Sequence, residues 1–210
     1  MPSAITLLHT SPVHCATFDR LRDQLDSEAV LIHKVREDWL EQAQAGGDDA
    51  GLNADISAFV ASATGPVLCT CSTLGDAAAT AGAIRIDAPM MQTAAQIGGK
   101  VLLTYVLDST REPSERLLSE AMATTDQPGN YILLGLPDLW SLFEKGDHEG
   151  FCSAITRKVV DTLQSQPDIR VVVLAQASMA NAADFLKAHS VVVLSSPKLK
   201  RAGNDYWFWV

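Results

Sequence analysis

The chain has 210 residues, 47% of them hydrophobic and 20% charged, which suits a globular protein with room for one compact core or two small lobes. Its formal charge of -9 excludes a phosphate backbone as the natural partner, and the densest basic run is only Lys198-Leu199-Lys200-Arg201. No apolar run reaches the ~18–20 residues of a membrane span, and Met1–Thr10 lacks the basic start of a secretory leader. A cytoplasmic protein without nucleic-acid or membrane partners is expected.

Continuous aliphatic runs recur along the chain: Ile5–Thr10, Val30–Val35, Pro66–Cys71, Ala83–Ile86, Lys100–Leu107, Tyr131–Leu136, Arg170–Gln176 and Val191–Ser195. They lack period-2 alternation, which predicts strands covered on both faces. Helical patterns fall between them at Ala16–Leu25, Ile56–Ala63, Asp76–Ala81, Ser114–Ala123, Gly150–Gln164 and Ala182–Lys187. Strand alternating with helix implies right-handed βαβ units and a mainly parallel sheet. The stretch Ala43–Asn53, with Gly46-Gly47-Asp48-Asp49, reads as a loop. The ending Asp205-Tyr206-Trp207-Phe208-Trp209-Val210 reads as an aromatic anchor for the body or for another subunit.

A degenerate repeat runs through the chain. Val67–Ala78 lies over Val172–Ala183: a buried strand, a turn of small polar residues, then Asp-Ala-Ala or Asn-Ala-Ala opening a helix. In this overlay Cys71 falls on Gln176, Ser72 on Ala177 and Thr73 on Ser178. The turns Thr10-Ser11 and Ser109-Thr110 pair in the same way. Two similar lobes follow, residues 1–95 and 96–196, with 197–210 packing back on the first.

Turns at the carboxyl ends of parallel strands that lead into helices are natural anion sites, because free N–H groups point outward there. Thr70–Gly75 and Gln176–Met179 fit that description. A cysteine so placed, Cys71, is expected to have its pKa lowered by the helix N-terminus and to act as base or nucleophile. Cys69, within the strand, is expected to be core. Cys15, Cys69, Cys71 and Cys152 contain no C-x-x-C pair, and His9, His14, His33, His148 and His189 lie in separate segments without zinc-like spacing. No metal is expected. Gly75 serves close helix–strand approach rather than a phosphate, since a P-loop lysine is missing and no G-x-G-x-x-G follows a strand. His9 and His33 are expected as hydrogen-bonded structural histidines, Asp147 as a helix cap, and Arg111 and Arg116 as solvated helix charges.

Thr70-Cys71-Ser72-Thr73-Leu74-Gly75, taken with Leu174-Ala175-Gln176-Ala177-Ser178-Met179-Ala180, resembles the aspartate/glutamate/hydantoin racemase superfamily. His9-Thr10 and Ser195-Ser196-Pro197 fall where related sequences carry similar short motifs. The resemblance implies an α/β fold of two pseudo-symmetric parallel-sheet lobes, an active-site cleft between them, and no cofactor. It also implies a homodimer or larger assembly. Two-base members of that family set one cysteine from each lobe on opposite faces of the substrate α-carbon, and Cys71 matches the first. Gln176 stands where the second would be; an amide has no useful acid–base pKa and can only orient a carboxylate or an oxyanion.

The expected chemistry is proton exchange next to the carboxylate of a small carboxylic or amino acid. Cys71 would be its base and Gln176 would steady the enolate-like charge. Thr10, Ser72, Thr73, Ser109, Ala177 and Ser178 would bind or line the site. Three alternatives stand beside it. The first is a decarboxylase or lyase on the same scaffold, as in the one-thiol arylmalonate decarboxylase branch, where the retained cysteine lies in the other lobe. The second makes Cys71 a nucleophile toward an unsaturated diacid, as in the maleate isomerase branch. The third is a small-acid binding protein that lost its chemistry with the second cysteine.

Overall fold

The computed structural model describes residues 4–46, 49–127, 129–197, 199–201 and 207–209. It divides into two compact units, Met1–Ile86 with Leu199–Phe208, and Asp87–Lys198 with Trp209–Val210. Each carries a four-stranded parallel sheet with flanking helices, so the fold is α/β.

In the first unit β1 (Ile5–His9), β2 (Leu31–Val35), β3 (Val67–Cys69) and β4 (Ile84–Arg85) pair in the order β2-β1-β3-β4. The second repeats this pattern with β5 (Gly99–Tyr105), β6 (Gly129–Gly135), β7 (Ile169–Leu174) and β8 (Val192–Ser195), in the order β6-β5-β7-β8. All eight aliphatic runs are strands, and the repeat seen in the sequence corresponds to equivalent places in the two strand orders: β1 to β5, and β3 to β7. A further pair, β9 (Leu199–Arg201) and β10 (Trp207–Trp209), forms a two-stranded ribbon. The anchoring expected of the aromatic tail concerns side chains outside the described residues.

The helices are α1 (Val13–Leu25), α2 (Glu37–Ala45), α3 (Asp49–Ser62), α4 (Gly75–Thr80), α5 (Ala88–Ile97), α6 (Asp108–Ala123), α7 (Trp140–Glu144), α8 (His148–Ser165) and α9 (Ala182–Leu186). Among the described residues no helix is long and apolar enough to cross a membrane.

Why the strand runs do not alternate is visible in β7. Val171 and Val173 face Met90, Met91 and Leu118 on one side of the sheet, while Val172 and Leu174 face Phe151, Ile155 and Leu186 on the other. Helices cover both faces, so every position is apolar.

Two expectations are corrected. Ala43–Asn53 is not a loop: α2 runs to Ala45 and α3 begins at Asp49, while Gly47 and Asp48 lie outside the described residues. Leu52, Ile56 and Phe59, at helical spacing, pack with Trp39 of α2, and that stripe overrides the poor helix propensity of Gly51 and Asn53. The Trp39 and Phe59 rings meet edge-on at 5.9 Å. The second correction is α6, which starts at Asp108 rather than Ser114, with Pro113 inside it. Proline cannot donate to the helical ladder, but Thr110, Ser114, Leu118 and Ala121 form one buried face that carries the helix through it. Ser109-Thr110 is therefore the first turn of a helix rather than a loop. Asp147 does cap α8, accepting from the Gly150 N–H at 2.9 Å.

Candidate active site

The first unit brings together the sequence candidates that follow β1 and β3. Parallel pairing of β1 and β3 sets Leu8 against Cys69, and the Thr70 N–H donates to the Leu8 carbonyl at 3.0 Å. Two residues further along that register, Thr10 stands beside Cys71. The Cys71 sulfur is hydrogen-bonded by the Thr10 hydroxyl, by the backbone N–H groups of Leu74 and Thr73, and by the Thr73 side chain. The Ser72 carbonyl accepts from the Gly75 N–H at 3.1 Å and closes the turn.

Burial pushes the Cys71 thiol above its ordinary range, and the four hydrogen bonds pull it partway back. The balance lies upward. This corrects the expectation of a pKa lowered by the helix N-terminus, because α4 is only six residues long and burial outweighs what donors contribute. Cys69 is buried among Leu8, Trp39 and Val67, as core.

Gly75 has a specific reason to lack a side chain. A Cβ there would lie 2.6 Å from the Arg85 guanidinium carbon, and Arg85, at 6% exposure, is held by an ion pair with Asp76. Asp76 therefore sits inside α4 with a cation to neutralise, not at its cap. Gly75→Ala is expected to destabilise the protein by about 1–3 kcal/mol through overpacking at this pair, read from urea unfolding midpoints. An unchanged midpoint would show that the guanidinium moves aside freely.

In the second unit Gln176 follows β7 as Cys71 follows β3, but its side chain is committed to the backbone. Gln176 Oε1 accepts from the Val106 N–H at 2.7 Å and the Leu107 N–H at 3.0 Å. Both donors require oxygen at that position, which fixes the amide orientation and leaves only the Nε2 hydrogens for any ligand. Ala177 and Ser178 form a 3₁₀ turn with Met179. The buried Ser178 Oγ has no hydrogen-bond partner among the described residues. Ser109 is half-buried in the first turn of α6, two residues past the Leu107 contact, and carries a polar interaction of its own. Arg111, on the same helix, is exposed and pairs with Glu115 at 2.9 Å.

Sequence reasoning missed a polar cluster beside the Cys71 turn. His9 is fully buried, with Nδ1 2.8 Å from Thr70 Oγ1 and Nε2 2.9 Å from His33 Nδ1. His33 Nε2 lies 3.2 Å from Asp19 Oδ1. Burial, then the neighbouring His14 and His33, hold the His9 pKa down to about 3, and burial holds His14 to about 4. A signal was present: His9 and His33 sit on runs that could pair as neighbouring strands. The register Leu7 to His33 puts them diagonally on one face.

No protein-family model matches the chain, and no curated protein matches it significantly. Among solved structures, aspartate racemase from Picrophilus torridus is similar with a TM-score of 0.64 at 12% identity, covering 92% of this chain and 89% of that one. Glutamate racemase isoform RacE1 from Bacillus anthracis is similar with a TM-score of 0.65 at 15% identity, covering 92% of this chain and 77% of that one. The fold is thus shared with aspartate and glutamate racemases across nearly the whole chain.

Proposed function

We propose that this protein is a cofactor-independent enzyme of racemase or isomerase type, acting on a small carboxylic or amino acid. In this reading the Cys71 thiolate exchanges the proton on the carbon next to the carboxylate. The observation that carries it is the ring of donors around the Cys71 sulfur, supplied by Thr10, Thr73 and Leu74. Such donors stabilise a thiolate without being consumed, while the buried setting keeps that thiolate basic enough to attack a carbon acid. Ser72 and Thr73 are the proposed carboxylate partners in the first unit, and Ala177, Ser178 and Ser109 are the corresponding proposal for the second. The orphaned Ser178 Oγ supports this, since a buried hydroxyl is costly without an acceptor or donor. In the second unit the Gln176 Nε2 hydrogens are the donors left for an anionic ligand.

Gln176 also favours a second reading. An amide oxygen held by two backbone N–H groups cannot return a proton, so exchange from one side only, or decarboxylation with one-sided protonation, fits the site as a lyase.

The test is proton NMR in deuterated water with aspartate, glutamate and 2-substituted small acids. Loss of the α-proton signal in the presence of enzyme is expected, and the optical rotation of the product separates two-sided from one-sided exchange. Measurable binding with no exchange or decarboxylation across the panel would sink the enzymatic reading in favour of a small-acid binding protein.

The raised Cys71 pKa fixes the sign of the pH dependence. Exchange needs the thiolate, so its rate should climb about tenfold per pH unit through neutrality and level off only above the ordinary thiol range. Thr10→Val removes one stabilising donor and should move that plateau further alkaline. A plateau already reached at neutral pH would contradict the assignment of Cys71 as base.

A further inference from the structure

The cluster around His9 contains a proton-counting problem. The Thr70 hydroxyl donates to the Leu8 carbonyl at 3.0 Å, so toward His9 it can only accept. That fixes the proton on His9 Nδ1 and leaves a lone pair on Nε2. His33 Nε2 faces the Asp19 carboxylate, an acceptor, which fixes a proton on that nitrogen, so that without a further proton Nδ1 carries the lone pair. The two lone pairs then point at each other across 2.9 Å. Such a contact is repulsive unless a cation lies in it.

A third donor is in place. The Cys15 sulfur, on α1, and one ring nitrogen from each of His9 and His33 all lie within 4.8 Å of one another. We propose that His9, His33 and Cys15 form a binding site for a borderline-soft divalent cation of the zinc class, with Asp19 and Thr70 orienting the two imidazoles. Two imidazoles and one thiolate match the ligand preference of such ions, and three protein ligands leave one position for water. Metal–nitrogen bonds of about 2.0–2.1 Å set two tetrahedral nitrogens roughly 3.3 Å apart, so the rings must separate by only about 0.4 Å. A carboxylate behind one ligating histidine and a hydroxyl behind the other fix the tautomers that metal binding needs. On binding, Cys15 loses its thiol proton to solvent and the cation takes the place of any proton shared between the rings.

The site ties β1, β2 and α1 together, and through the His9–Thr70 bond it reaches the residue before Cys71. It does not depend on the chemistry proposed for Cys71.

Cobalt(II) is the probe. Chelator-treated full-length protein is titrated with it, and near-ultraviolet sulfur-to-cobalt charge transfer is recorded together with bound metal per chain. One equivalent with a charge-transfer band is expected, retained in Cys71→Ser and abolished in Cys15→Ser. Asp19→Asn is expected to weaken binding about 10- to 100-fold, the usual cost of losing a partner behind a ligating histidine. Zinc should displace cobalt and protect Cys15 from alkylation in the unmutated chain, a readout that needs no variant to fold. Absence of the band, a band that survives in Cys15→Ser, or no protection of Cys15 by zinc would each overturn the site and leave a shared proton between the two rings.

Discussion

Cys71→Ala is expected to lower the rate of α-proton exchange by about 10²–10⁴-fold while leaving carboxylate binding within a few-fold of the unmutated protein. The size follows from the role: a general base positioned on the reacting carbon contributes that range, whereas a residue that only lines the site contributes to affinity. Cys71 is half-buried past the end of β3 and packs on the edge of the cluster that holds Cys69, so its truncation removes one sulfur from that edge, and the variant should fold. Cys71→Ser separates two roles for the sulfur. A hydroxyl can occupy the ring of donors from Thr10, Thr73 and Leu74, but it remains protonated where a thiol does not, so a base is lost in both variants. If serine restored exchange, the chemistry would belong to the donors rather than to the thiolate. The nucleophilic alternative is distinguished by mass: a covalent adduct with an unsaturated diacid on Cys71 would be trapped, whereas proton exchange leaves the thiol unmodified.

The fold and the candidate residues were not equally legible in the sequence. Strands covered on both faces leave unbroken aliphatic runs, and all eight were readable, as was the matched order of the two sheets. The turn carrying Cys71 was readable because it follows such a run. What could not be read was the direction of the Cys71 pKa, which depends on how deeply the turn is buried and how short α4 turns out to be. At Pro113 and Gly51 local propensity opposes helix, and tertiary burial of Leu118 and Ile56 decides for it. The His9–His33–Cys15 cluster was hidden by sequence distance. Spacing rules detect ligands on one turn or one loop, while these three arrive from β1, β2 and α1, and only the parallel register of β1 with β2 brings the histidines onto one face.

Gln176→Met is expected to reduce stability by about 2–4 kcal/mol, seen as a fall in Tm of roughly 4–16 °C. Methionine keeps nearly the same volume, so cavity formation is not the cause. The loss comes from two N–H donors whose acceptor disappears. The Val106 N–H belongs to a fully buried residue and carries the whole cost of an unsatisfied donor, about 1–3 kcal/mol, while the Leu107 N–H is at a half-buried position and can recover part of its share from water. This gives a physical reason for an amide at this position: a thiol is too weak an acceptor to satisfy two backbone donors at the end of β5. Gln176→Cys should therefore also lower Tm, by a similar amount. An unchanged Tm in Gln176→Met would mean that Val106 and Leu107 find other acceptors, and Gln176 would then be free to act on the ligand through both ends of its amide.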